Sequence, residues 1–170
     1  RPMILKSPVH AGRIRTLLKL FPEARFIYIA RDPFDVYVSH TRTIKVMASN
    51  QGLHNPIPPT DDWLRDYVLD VFDTLFDCYE RDRHLIPDGR LAELRYEDLT
   101  ADPRGALRQV YATLGLGPFE PAEPGVAAYL DARRQYQRNV NRLDPADRER
   151  VASRWARYRE RFGYAAEGDA

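Results

Sequence analysis

Cysteine is nearly missing from this chain: Cys78 stands alone in 170 residues. One thiol cannot form an intrachain disulfide, and no cysteine cluster exists to hold zinc. That usage is compatible with a reducing compartment, no signal peptide is in view, and the expected location is cytoplasmic. The histidines His10, His40, His54 and His84 match no common metal-ligand spacing, so no metal is expected. Long apolar runs are lacking too. None exceeds the five residues of Phe26–Ala30, against the ~20 that span a bilayer, so no membrane span is predicted. Charge of one sign is not in excess: 26 basic and 25 acidic residues leave +1, which offers no bulk attraction for nucleic acid. Lysine is scarce, with Lys6, Lys19 and Lys45 the only three; the remaining basic residues are Arg. No glycine is followed by lysine, so a Walker-type phosphate loop is excluded, and neither G-x-S-x-G nor G-x-G-x-x-G occurs.

What is present is ordinary for a globular domain. Hydrophobic residues make up 44% and charged residues 30%, which excludes wholesale disorder. The length suits one domain over 1–170. Met3–Leu5 reads as a brief strand ended by Ser7-Pro8, and a start inside an apolar segment suggests a missing N-terminal piece. Ile14, Leu17, Leu18 and Phe21 recur at helical spacing over His10–Phe21, where Pro22 stops the pattern. Arg25–Ala30 is continuously apolar and β-rich, as in a buried parallel strand. Asp32 then offers an N-cap and Pro33 a first helical residue for a helix to about Ala48. Asn50–Thr60 is a Pro/Gly loop. Asp61–Leu85 reads as a long amphipathic helix with Trp63, Tyr67, Val71, Leu75 and Cys78 on related turns. Arg90–Tyr96 is a third strand, and Asp102-Pro103 opens a helix to about Leu114. Helices near Val126–Arg134 and Pro145–Phe162 complete the order. Alternating strands and helices predict an α/β fold with short parallel strands and a helical C-terminal part.

Four places could carry chemistry. Arg31 lies at the carboxyl end of a strand, where open α/β sheets bind ligands. A helix N-terminus follows, and its free N–H groups favour anions. Ser39 shares a helix face with Asp35 and Arg42, so Arg31 and Ser39 can grip one phosphate. The structural alternative is an Arg31–Asp35 pair with Ser39 a plain surface residue. Lys6-Ser7-Pro8-Val9-His10 leaves the first strand, and a histidine there can act as a general base; its alternative is a capping or surface residue. Tyr96-Glu97-Asp98 closes the third strand, where Tyr96 could equally pack the strand end and the two acids pair with nearby arginines. Residues 133–170 hold ten Arg against six acids. Arg133–Asn139 there could close over a phosphate, although a solvated face is the default for such charges.

In this order the segments LKSPVH, LLKLFPEARFIYIARDPFDVYVSH, LRYEDLTADP and RFGY resemble the sulfotransferases that use 3′-phosphoadenosine 5′-phosphosulfate, in their broad bacterial branch. The resemblance runs from Leu5 to about Tyr164, and RDPxDxxxS is its most specific element. It implies a P-loop-NTPase-like three-layer architecture, and that phosphosulfate as co-substrate. It implies that Arg31 and Ser39 hold the donor's 3′-phosphate, that Tyr96 contacts the nucleotide, and that Arg138 supplies the C-terminal phosphate loop. It implies His10 as the base, with Glu97 or Asp98 as the alternative, and Lys6 shortly before His10, here at K-x-x-x-H rather than K-x-H spacing. The family's first strand and its phosphosulfate loop have no counterpart in this chain. Since that strand lies centrally in the related architecture, a gap or a distorted pairing is expected between the Arg25–Ala30 and Arg90–Tyr96 strands. The acceptor that the resemblance implies is a small molecule, glycan or lipid bearing a hydroxyl or amine. Two other classes remain: a kinase-like nucleotide-binding domain, and a non-catalytic helical module docking through Asp61–Leu85.

Overall fold

The computed structural model describes residues 3–51, 61–134 and 143–164. The expected class holds: short parallel strands alternate with helices, and the C-terminal part is helical. A 3₁₀ segment, Pro8–Arg13, leads into α1 (Ile14–Leu20). Then come β1 (Phe26–Ala30), α2 (Pro33–Gln51) and α3 (Asp61–Asp82), a 3₁₀ turn over Arg83–Leu85, and β2 (Leu91–Arg95). Five helices follow: α4 (Tyr96–Ala101), α5 (Pro103–Leu114), α6 (Glu123–Ala132), α7 (Pro145–Arg154) and α8 (Ala156–Phe162). The chain divides into two compact units. One comprises residues 1–30 and 78–140, the other 31–77 and 141–170.

In the first unit β1 and β2 pair in parallel, with Phe26 opposite Leu91 and Ala30 opposite Arg95. The expected gap between these strands is therefore wrong. Parallel neighbours need only a crossover connection, and among the described residues α2 and α3 supply it. The expected strand at Met3–Leu5 is also absent. All three residues are exposed and irregular, and an apolar run becomes a strand only where a neighbour takes up its ladder bonds. Nor is β1 buried on both faces. Tyr28 stacks on Tyr79 with centroids 3.9 Å apart, and Ala30 is buried, while Ile27 and Ile29 on the other face are about half exposed. Tyr79 also donates its hydroxyl to Glu93 at 2.6 Å, tying the end of α3 to β2. Ala92 and Leu94 pack on Val110 and Leu114 of α5. That helix starts where the sequence predicted, with the Asp102 carboxylate accepting from the Gly105 N–H at 2.9 Å.

Asp82 closes α3 as a buried carboxylate. Arg81 donates to it from Nε and Nη2, at 3.0 and 2.9 Å, and Arg15 of α1 donates from Nη2 at 3.0 Å. This triad fastens α1 to the end of α3.

The second unit is built on aromatics. Trp155 separates α7 from α8, so the single helix expected over Pro145–Phe162 is two. Its indole is buried against Phe72, with centroids 3.9 Å apart. In this unit the buried residues of α3 include Leu64, Val68, Leu69 and Phe76, not Trp63 and Tyr67, which stack on each other at 4.9 Å and stay substantially exposed. Outside this core Arg154 reaches Asp70 and Asp73 at 2.6 and 2.5 Å, and Arg157 reaches Asp77. At the end of α8, Gly163 takes φ +67°, a conformation that disfavours any Cβ, and Tyr164 N–H bonds back to Arg159 carbonyl at 2.8 Å.

Candidate functional site

The strand-to-helix junction at Arg31 is the most constrained part of the candidate site. Arg31 leaves β1 with both backbone polar groups bonded to one side chain. Its N–H donates to Tyr158 Oη at 2.9 Å, and the Tyr158 hydroxyl donates to its carbonyl at 3.0 Å. Asp32 then caps α2, its Oδ1 accepting from Phe34 N–H at 2.8 Å and Asp35 N–H at 3.2 Å. Pro33 has no N–H, and Val36 N–H already bonds Asp32 carbonyl at 3.0 Å. The expectation of free helix amides for an anion therefore fails, because Asp32 has taken them. Any anion held here must be held by side chains.

Those side chains are mostly cationic. Arg31 Nη2 pairs with Asp35 Oδ2 at 3.0 Å, each side chain about one-third exposed. The structural alternative for Arg31 is thus realised. Ser39 is exposed two turns along α2. The Phe34 ring has the Arg148 guanidinium 4.2 Å and the Arg159 guanidinium 5.7 Å from its centroid. Neither arginine was singled out from sequence, where the C-terminal arginines read as a solvated face. Next to Ser39, burial holds the His40 imidazole below its ordinary pKa. Tyr37 is buried, and its phenol is pushed up by that burial and then by Asp147.

The first unit holds the other candidates. Lys6 is exposed in the irregular segment before the 3₁₀ turn. His10 sits within that turn, its N–H on Ser7 carbonyl at 3.1 Å. The ring is half-buried, and its Nδ1 is shielded with no hydrogen-bond partner among the described residues. Tyr96 does not close β2 as expected but opens α4, half-buried. Glu97 lies 3.9 Å from Arg95 Nε, as its structural reading anticipated, and Asp98 is exposed. Arg138 lies outside the described residues. Lys6, His10 and Tyr96 thus fall in one unit, Arg31 and Ser39 in the other. Among the described residues no group of three or more His, Cys, Asp or Glu could hold a metal ion, and no helix is long and apolar enough to cross a membrane.

Three comparisons bear on this geometry. A family model described as Sulfotransferase family matches residues 1–121. The chain is 40% identical over 164 residues to the omega-hydroxy-beta-dihydromenaquinone-9 sulfotransferase Stf3 of Mycobacterium bovis, and equally to that of Mycobacterium tuberculosis. The match covers 96% of this chain and 42% of each relative, so the chain spans less than half their length. The crystal structure of sulfotransferase STF9 from Mycobacterium avium superimposes with a TM-score of 0.75 at 25% identity, over 93% of this chain and 41% of that one.

Proposed function

The chain belongs to the sulfotransferase family, and we propose that it carries the 3′-phosphate anchor and the acceptor base of an enzyme using 3′-phosphoadenosine 5′-phosphosulfate. The family implies a sulfuryl donor; the choice of this donor rests on the Arg31 junction. Its 3′-phosphate is a compact anion that a planar guanidinium grips through paired N–H groups. Arg31 presents that fork from a backbone tied on both polar groups, and Ser39 adds a neutral donor from α2. Because Asp32 saturates the helix amides, recognition falls to these side chains. Arg148 and Arg159, beside Phe34, add positive potential at the start of α2.

His10 serves as the base. As the acceptor oxygen attacks sulfur in line, its proton passes to the imidazole. The bond from sulfur to the 5′-phosphate oxygen breaks, and adenosine 3′,5′-bisphosphate leaves. Tyr96 contacts the nucleotide and Lys6 lies near the transferring group. The acceptor class we favour is a hydroxylated lipid. The two mycobacterial relatives are named for a hydroxylated dihydromenaquinone, and the exposed Trp63–Tyr67 stack offers a flat apolar surface of the kind such a molecule needs.

Calorimetric titration with adenosine 3′,5′-bisphosphate and with ATP tests the reading. The bisphosphate should bind at least about tenfold more tightly, since only it places a phosphate at the 3′ position. Equal or tighter binding of ATP would transfer the chain to a kinase-like role. Binding of neither would favour an interaction module.

A further inference from the structure

Arg31 owes its position to a residue 127 places away in sequence. Tyr158 is 3% exposed, and its ring is wedged by aromatics on several sides. Phe72 and Phe76 meet it edge-on at 4.9 and 5.1 Å, and Tyr164 stacks parallel at 6.0 Å. A ring so enclosed cannot swing, so its hydroxyl is a fixed point. That hydroxyl bonds both the N–H and the C=O of Arg31, which therefore point to the same side, as in extended chain. A core tyrosine needs only one acceptor for its hydroxyl. Here both capacities of the oxygen are spent on one residue, the one whose side chain faces the anion in the proposed function.

We propose that Tyr158 is a positioning residue that fixes the backbone of Arg31 and so sets selectivity for a 3′-phosphate. With the backbone held by Tyr158 and the guanidinium steadied by Asp35, the fork meets the phosphate with little left to order. This rests on Arg31 being the 3′-phosphate anchor. Without the hydroxyl, Arg31 loses two bonds that define where its side chain begins, and a misplacement of under an ångström degrades a bidentate contact.

The test compares Tyr158→Phe with the unaltered chain for binding of adenosine 3′,5′-bisphosphate and of adenosine 5′-monophosphate, which lacks the 3′-phosphate. Tyr158→Phe should weaken the bisphosphate about five- to tenfold and leave the monophosphate within about twofold. A merely structural role would weaken both alike or neither, and either result overturns the proposal. In an Arg31→Ala background the same substitution should cost no further bisphosphate affinity; an undiminished loss there also overturns it. If the unaltered chain ignores the bisphosphate, the anchor reading falls and takes this inference with it. If binding is normal and lost in Arg31→Ala yet untouched in Tyr158→Phe, this inference alone falls.

Discussion

Replacing Asp82 with Asn should loosen the first unit by an amount that depends on pH in a defined direction. The Asp82 side chain is 3% exposed, whereas its partners Arg15 and Arg81 are 57% and 61% exposed. On release the two guanidiniums rehydrate readily, so the cost concentrates on the carboxylate. A charge-assisted bond contributes about 1.5–3 kcal/mol and a neutral one about 0.5–1.5. Three bonds lose their charge assistance, and the amide turns one N–H₂ toward donors. The exposure of both arginines reduces the sum, leaving about 2–3 kcal/mol. At about 2–4 °C per kcal/mol for a chain of this size, the melting temperature should fall by about 4–12 °C. The hydrogen bonds from Arg81, helped by those from Arg15, hold the Asp82 carboxyl well below the usual carboxylate range against the opposing effect of burial. Since its unfolded value is about 3.9, the stabilisation is complete above roughly pH 4 and is lost as pH falls toward the folded value. Circular-dichroism melts of both proteins between about pH 3 and pH 6 should therefore show a gap that is full at pH 6 and narrows below pH 4. A gap of under about 1 °C, or one of equal size at both ends, would refute the reasoning.

Two further substitutions separate binding from chemistry. Arg31→Ala removes an i,i+4 pair whose side chains are about one-third exposed, worth about 0.3–0.5 kcal/mol, so melting should barely change. Calorimetry should show bisphosphate affinity falling about ten- to a hundredfold; unchanged affinity would leave the Arg31–Asp35 pair as the whole account. In an enzyme completed with the family's phosphosulfate loop, His10→Ala should lower sulfuryl turnover by about 10²–10⁴ while bisphosphate binding persists. If turnover survives there but fails in Glu97→Gln or Asp98→Asn, the base is that carboxylate.

Local signals carried much of the fold. The pairs Asp102-Pro103 and Asp144-Pro145 each start a helix, because a capping carboxylate before a ring-fixed φ makes a start that needs no distant partner. The Arg31–Asp35 spacing announced its ion pair for the same reason. What failed was decided across long stretches of chain. On α3 the apolar arc is broad enough to include Trp63 and Tyr67 as well as Leu64 and Val68, and periodicity does not say which half is turned inward. Tyr158 and Arg148 were illegible because their significance lies in residues more than a hundred positions away. Asp32 shows a subtler failure. It was recognised as a cap, yet a good cap consumes the amides that an anion would use.

The half-open β1 bears on how this protein behaves in the test tube. Phe26–Ala30 is uncharged, free of proline, strongly β-forming and apolar on its uncovered face, the composition that drives strands to stack into aggregates. Arg25 and Arg31 bracket it, and charges in those places act as gatekeepers by opposing stacking of like strands. Arg31 is thus a guard against self-association as well as a candidate ligand contact. Its removal should make the chain more prone to precipitate on concentration, a loss of soluble protein distinct from any loss of affinity.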